Sequence, residues 1–272
     1  MSSNIAALAD EGRVEIDHVS IRFTSKKGDH LALAETRLQL EPGTFTALIG
    51  PSGCGKSTLL NALAGFVEPT AGQIRIDGRP VDGPGPNVGV VFQQYALFPW
   101  FTALGNVKFA LQRFGLGKTE LHERAMAALA EVGLETQADK FPGQLSGGMK
   151  QRVGIARTLA YEPKVLLMDE PFGALDAQTR REMHDLLLRV WEKHKATVLF
   201  VTHDVDEALL LADHVHVLSR APGRIIRSYD LSASRPRAIS RDFPDLLDTR
   251  EEILALLKPE PAEDRGDVAS VS

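Results

Sequence analysis

Cysteine is almost missing from this 272-residue chain: Cys54 stands alone, so no intramolecular disulfide can form and the sequence fits a reducing compartment. Long apolar runs are missing too. The longest, such as residues 208–212, fall far short of the roughly 18 residues that a membrane span needs. The opening MSSNIAALADEGR has no basic stretch ahead of an apolar one. The expectation is a chain neither exported nor membrane-spanning, with any membrane role reached through a partner. A basic excess is also lacking: 31 Lys and Arg against 36 Asp and Glu leave a formal net charge of −5. That is too little positive charge to neutralise a run of phosphates, which excludes nucleic acid as the main partner. No internal repeat and no block of like charge occurs.

What is present is a globular composition, 43% hydrophobic and 25% charged. At about 150 residues per domain, the length suits two domains, or one large domain with an insertion. VEIDHVSIRF, TRLQL, TFTALIG and GQIRIDG read as strands, because apolar or β-branched residues recur between Gly, Pro and Asp-Gly punctuation. Residues 94–161 turn helical, with Thr119 opening LHERAMAALAEV and Gly133 closing it. Then come VLLMD, a helix from 176 to about 195, TVLFVTH, a short helix opened by the capping pair Asp204 and Glu207, and HVHVLS. Strands alternating with helices predict an α/β fold with a parallel sheet covered on both faces. Towards the end the sequence predicts one amphipathic helix around TREEILALLK and a tail over 259–272, whose Pro, Glu, Asp and Ser offer little to bury.

Between the strand TFTALI and the helical KSTLLNALAG lies Gly50-Pro51-Ser52-Gly53-Cys54-Gly55-Lys56-Ser57, followed by Thr58. This is the G-x-x-x-x-G-K-[ST] pattern in the strand–helix context it requires. Glycines let the backbone wrap a polyphosphate, and the helix start aims its positive dipole end at the same charge. Lys56 is placed to neutralise β/γ-phosphate oxygens and Ser57 to offer its hydroxyl to Mg²⁺. Cys54 is either a mildly activated thiol near the helix start or a small residue that fits. KVLLMDEP supplies two carboxylates at the carboxyl end of a buried strand. Asp169 is read as a Mg²⁺ ligand, directly or through water; Glu170 accepts a proton from the attacking water or orients it. A third motif, Leu145-Ser146-Gly147-Gly148-Met149-Lys150-Gln151-Arg152, precedes the helical VGIARTLAY. Ser146 suits an N-cap, and the paired glycines leave a second helix start open to an anion.

With these motifs together, residues 14 to about 231 resemble the ATP-binding cassette subunit of an ABC transporter. The resemblance implies a RecA-like P-loop NTPase core with a mainly parallel sheet, an antiparallel β subdomain and an inserted α-helical subdomain. Its divisions would be 1–93 (core, β subdomain, phosphate loop), 94–161 (helical subdomain with the Ser146 signature), 162–230 (the rest of the core) and a 231–272 extension. It implies ATP hydrolysis by a dimer, with Ser146, Gly147 and Gly148 of one copy closing over the γ-phosphate held by the other. By the same resemblance Gln93 reaches Mg²⁺ and the attacking water, Asp176 runs across the dimer interface, and His203 contacts the γ-phosphate. Phe23 stands where an aromatic stacks on adenine, or else is a core-facing strand residue. Met149 departs from the family's usual glutamine and has no polar side chain for the contact made there, while the Ser146 and glycine contacts are unaffected. GPGPNVGVVFQQYALFPW, LLMDEPFGALDAQTR, and LSRAPGRI followed by Arg235-Pro236-Arg237 are similar to the nitrate, sulfonate and taurine importer branch. That implies membrane permease subunits, indirectly a solute-binding protein, and a peripheral location on the cytoplasmic face of the membrane. Residues 95–101, rich in aromatics, are the candidate docking segment for the permease. The rival readings are a P-loop small-molecule kinase and a soluble cassette switch.

Overall fold

A computed structural model describes residues 11–25, 28–231, 234–240 and 243–258; the expected tail at 259–272 lies outside these. The chain opens with a long antiparallel pair, β1 (Val14–Ser25) and β2 (Gly28–Leu40), then enters β3 (Phe45–Ile49) and its following helix α1 (Lys56–Leu63). A short hairpin follows, β4 (Ala71–Ile76) with β5 (Arg79–Pro80), and then β6 (Val88–Val91). Asp77 and Gly78, both at positive φ, turn that hairpin, as the Asp-Gly pair in the sequence suggests. Three helices come next: α2 (Ala103–Leu111), α3 (Lys118–Glu131) and α4 (Gly147–Leu159). The chain returns through β7 (Val165–Asp169), α5 (Ala177–His194), β8 (Thr197–Thr202), α6 (Val205–Leu211), β9 (His214–Leu218), β10 (Ile225–Asp230) and α7 (Pro244–Leu257).

These strands form two sheets. One is antiparallel, in the order β2-β1-β4-β5; the other runs β10-β9-β3-β8-β7-β6, parallel except at its β10 edge. Strands β3 and β8 are buried along their whole length, as a sheet covered on both faces requires. Successive side chains of the central strands point to opposite faces. Phe45, Ala47, Ile49, Leu166, Met168, Val198 and Phe200 therefore pack with α2, α3, α4 and α5 in one core. Leu48, Val165, Leu167, Leu199 and Val201 pack with α1 and the antiparallel sheet in a second. A chain of rings, Trp191–Phe45–Phe200–Phe172, with centroids 5.7 to 5.8 Å apart, fills the middle of the first.

The structure adjusts several local expectations. Thr119 does not open its helix: α3 starts at Lys118 behind Gly117, with no side-chain cap, and Gly133 at φ 70° follows its end. The C-terminal helix begins earlier than the apolar pattern indicates, at Pro244, since proline is well tolerated at a first helical position. Asp204 does cap α6, accepting from the N–H groups of Asp206 and Glu207, but Glu207 does not return the bond. Its buried carboxylate turns inward and accepts from the Thr202 hydroxyl at 2.7 Å.

Candidate functional site

The parallel strands deliver the chemistry to one edge of the sheet. Ile49 pairs with Thr202, Asp169 with Val201, and Val91 with Met168. The residues that follow these strand ends, Gly50, His203, Glu170 and Gln93, therefore emerge side by side at the carboxyl edge, where open α/β sheets bind ligands.

The phosphate loop is held in shape by its surroundings. Gly55 adopts φ 101°, and a Cβ there would sit 2.5 Å from the Ala32 carbonyl oxygen of β2, so only glycine fits. Lys56 is 5% exposed, and its ammonium donates to the carbonyls of Gly50 at 2.7 Å and Pro51 at 3.0 Å. Its charge is thus fixed inside the curve of the loop. Cys54 is 1% exposed, and burial pushes its thiol up against the opposing pull of Lys56, which makes it a small residue that fits rather than an activated thiol.

The Ser57 hydroxyl donates to Asp169 Oδ1 at 2.9 Å, joining two of the three expected Mg²⁺ ligands across 112 residues of sequence. Burial pushes the Asp169 carboxyl above the usual carboxylate range; the Ser57 hydroxyl pulls it back, and the charge of Glu170 pushes it up again. Among the described residues no group of three or more His, Cys, Asp or Glu forms a metal cage. A hydroxyl and a carboxylate oxygen on an open edge suit Mg²⁺, which keeps several waters and takes its other ligands from phosphates. The residues present therefore fit that ion.

Glu170 holds a left-handed backbone, φ 43°, unusual for a residue with a side chain. Its N–H donates to the Val201 carbonyl at 2.9 Å, and Gly173 N–H donates to its carbonyl at 3.1 Å, which fixes this conformation. The turn brings its carboxylate to His203: Oε2 lies 3.1 Å from Nδ1 of His203. A Cβ on Gly173 would lie 3.6 Å from the Gln93 amide nitrogen and 3.8 Å from that same Oε2, so Gln93 borders the same space. Gln93, Glu170 and His203 thus meet, and Ser57 meets Asp169. Phe23 is 44% exposed, so it is no core residue. It lies opposite His30 on the end of the β1–β2 pair whose Ala32 touches Gly55.

Ser146 and its glycines stand apart. Ser146 caps α4, its hydroxyl accepting from Met149 N–H at 3.3 Å, while Gly147 lies against the Tyr95 hydroxyl and Gly148 against Thr179. Among the described residues no hydrogen bond joins them to the phosphate loop of the same chain. The Met149 side chain packs against the helical core. Asp176 caps α5, accepting from the N–H groups of Gln178 and Thr179; the Thr179 bonds hold its carboxyl below the usual range.

Three supporting residues are not singled out by the sequence motifs. Arg157 of α4 donates to the Ala96 carbonyl at 2.6 Å and reaches that of Tyr95, tying the segment after Gln93 to the helix that starts at Ser146. Asn106, fully buried, accepts from Phe98 N–H and donates to the carbonyls of Phe98, Phe101 and Thr102. A polar residue in the middle of the apolar ALGNVKFAL is the signal for it. Glu207 holds Thr202, next to His203; its reading as a cap partner hid this.

Comparison with known proteins agrees with the geometry. The ABC transporter family matches residues 33–173. The nitrate import ATP-binding protein of Synechocystis is 43% identical over 94% of this chain and 99% of its own length. The bicarbonate transport ATP-binding protein of the same organism is 48% identical over 85% and 83%. The taurine import ATP-binding protein of Chromobacterium violaceum is 48% identical over 88% and 93%. A dimeric ATP-binding cassette solved in a post-hydrolysis state with ADP and phosphate is 32% identical, with a TM-score of 0.71 over 81% of this chain and all of that one. With the phosphate loop, the two carboxylates and the detached Ser146 helix in place, these likenesses make the chain a member of the ABC transporter family, an ATP-binding cassette with the P-loop NTPase fold and a transport ATPase.

Proposed function

We propose that this chain is the ATP-binding and ATP-hydrolysing subunit of a multi-subunit importer for small anions of the nitrate, sulfonate or taurine kind, working as a dimer. The observation that carries the reading is the separation of two phosphate-seeking helix starts. Lys56 and Ser57 stand at the sheet edge, whereas Ser146, Gly147 and Gly148 cap α4 with no bond to them. A second copy supplies the missing wall: its Ser146 and glycines close over the γ-phosphate, with Asp176 at the interface.

Each residue then has a role. Gly50 to Thr58 and Lys56 hold the phosphates, and Phe23 stacks on adenine. Ser57, Asp169 and Gln93 would hold Mg²⁺, which when bound neutralises charge on the phosphates. Glu170 takes a proton from the attacking water or orients it, and His203, 3.1 Å away, steadies the γ-phosphate and the Glu170 carboxylate together. Positioned charge does most of the work, and little covalent chemistry falls to the protein.

The coupling surface is the aromatic cluster after Gln93. Trp100 is 66% exposed and packs with Phe98 and Phe101, which in turn pack with Phe109 and which Asn106 pins from beneath. This cluster receives a permease subunit at the cytoplasmic face of the membrane, with a solute-binding protein acting further upstream. Among the described residues no helix is long and apolar enough to cross a membrane, so the spanning part belongs to that partner. The divisions at residues 93, 161 and 230 are retained as part of this reading, with the 94–161 unit carrying both the permease surface and the Ser146 helix. The test is purification of the full chain from detergent-solubilised membranes of its own host. A polytopic partner that crosslinks to residues 95–101 and stimulates ATP hydrolysis is expected; purification with only soluble partners contradicts the reading.

A further inference from the structure

The LSRAPGRI stretch takes no part in the site described above, yet it lies directly behind the phosphate loop. Its turn joins β9 to β10 and is braced by Ser219. The Ser219 hydroxyl donates to the Arg220 carbonyl at 2.9 Å and accepts from Arg224 N–H at 3.2 Å, while Ser219 N–H donates to the Arg224 carbonyl at 2.9 Å. On one side the turn is stitched to β2, where Ala34 N–H donates to the Gly223 carbonyl at 2.9 Å. On the other, Gly223 is buried against the backbone of Cys54. A Cβ on Gly223 would fall inside the Cys54 carbonyl oxygen and lie 3.0 Å from its carbon. The same end of β9 presses on the first loop residue: a Cβ on Gly50 would sit 3.1 Å from both Cβ and the carbonyl oxygen of Leu218.

We propose that Gly223 is a positioning residue for the nucleotide, its turn forming the rear wall that sets the Cys54–Gly55 peptide so that the loop N–H groups converge on the phosphates. The inference rests on the phosphate-loop reading. Gly223 acts through Cys54 and touches no substrate. Any side chain there pushes the Cys54 carbonyl, and with it the Gly55 N–H, by on the order of an ångström, a displacement that costs large factors where phosphate is held by convergent donors.

Full-length Gly223→Ala, Ser219→Ala and Lys56→Ala are compared with the unaltered chain in equilibrium binding of Mg·ATP and Mg·ADP, in steady-state hydrolysis and in thermal melts. Gly223→Ala is expected to raise Kd and KM about tenfold or more with kcat changed less than about threefold, the split that marks lost ground-state binding. Overpacking at the buried turn lowers its melting temperature without nucleotide, and the rise produced by Mg·ATP shrinks as well. Ser219→Ala adds no atom and loosens the turn, so it shows the same split at about two- to fivefold. It decides the question if Gly223→Ala does not fold. Unchanged Kd and KM in folded Gly223→Ala, or in Ser219→Ala where the first variant is unfolded, overturn the inference provided Lys56→Ala still abolishes binding. Binding by Lys56→Ala equal to that of the unaltered chain overturns the phosphate-loop reading itself, and this inference with it.

Discussion

Glu170 spends strain to face the right way. A left-handed backbone at a residue with a side chain costs on the order of 1–3 kcal/mol, and here it separates two adjacent carboxylates that would otherwise compete for one task. Asp169 stays with Ser57, and Glu170 turns to His203 and Gln93. Glu170→Gln keeps the shape and removes the carboxylate proposed to take the water's proton or orient it, so steady-state phosphate release should fall about 10²- to 10⁴-fold with ATP still bound. Turnover near that of the unaltered chain would remove Glu170 from its role. Lys56→Ala should instead abolish ATP binding itself, measured by a fluorescent nucleotide, because the ammonium fixed by the Gly50 and Pro51 carbonyls is the loop's one positive side chain. At this scale the sequence was informative wherever a residue's role follows from its own motif. It was uninformative where the role comes from distant chain: nothing local to Glu207 tells that its carboxylate turns inward to Thr202, and the apolar run around Asn106 signals its burial but not which loop it holds.

The β9–β10 hairpin carries a consequence at the scale of an element. His216, with Nδ1 2.7 Å from the Ser228 hydroxyl, has its pKa lowered to about 4, first by burial and then by the neighbouring His214. In the unfolded chain this group titrates near 6.5. Between those values the unfolded state binds more protons, so stability rises with pH across the window and is lost as pH falls through it. Melting temperature measured from pH 7 to pH 4 should therefore decline, and His216→Gln should flatten the decline; an unaltered slope in that variant contradicts the assignment. Helix α2 gives a second test. Asn106→Ala leaves the Phe98 N–H without its acceptor and takes the side-chain donor from the carbonyls of Phe98, Phe101 and Thr102, of which Phe98 and Thr102 keep a backbone donor, at a cost of about 1–3 kcal/mol. It should also weaken permease capture more than basal ATP hydrolysis, since it loosens the aromatic cluster and leaves the sheet edge alone. Helix α5 was legible at its start, where Asp176 caps it, and its end near Lys195 was legible to about a residue. Helices whose boundaries rest on a weak signal, such as α3 behind Gly117, were not.

The whole molecule is a parallel sheet whose two faces are covered by different layers, a helical one and an antiparallel one. The alternation of strands with helices made the double cover legible. Strand order was not, because it is decided by which face each crossover helix packs on. The phosphate loop opens on the sheet edge, and Ser146 caps α4 with no hydrogen bond to that loop among the described residues; the proposed dimer has each copy's Ser146 close over the nucleotide of the other. The most direct measurement is the mass in solution of full-length Glu170→Gln with and without Mg·ATP, repeated with Ser146→Arg added. The account predicts a dimer with Mg·ATP, a monomer without it, and a monomer that still binds ATP through Lys56 when Ser146 is replaced. A Glu170→Gln chain that stays monomeric while saturated with ATP, or a dimer that survives loss of Ser146, would contradict it.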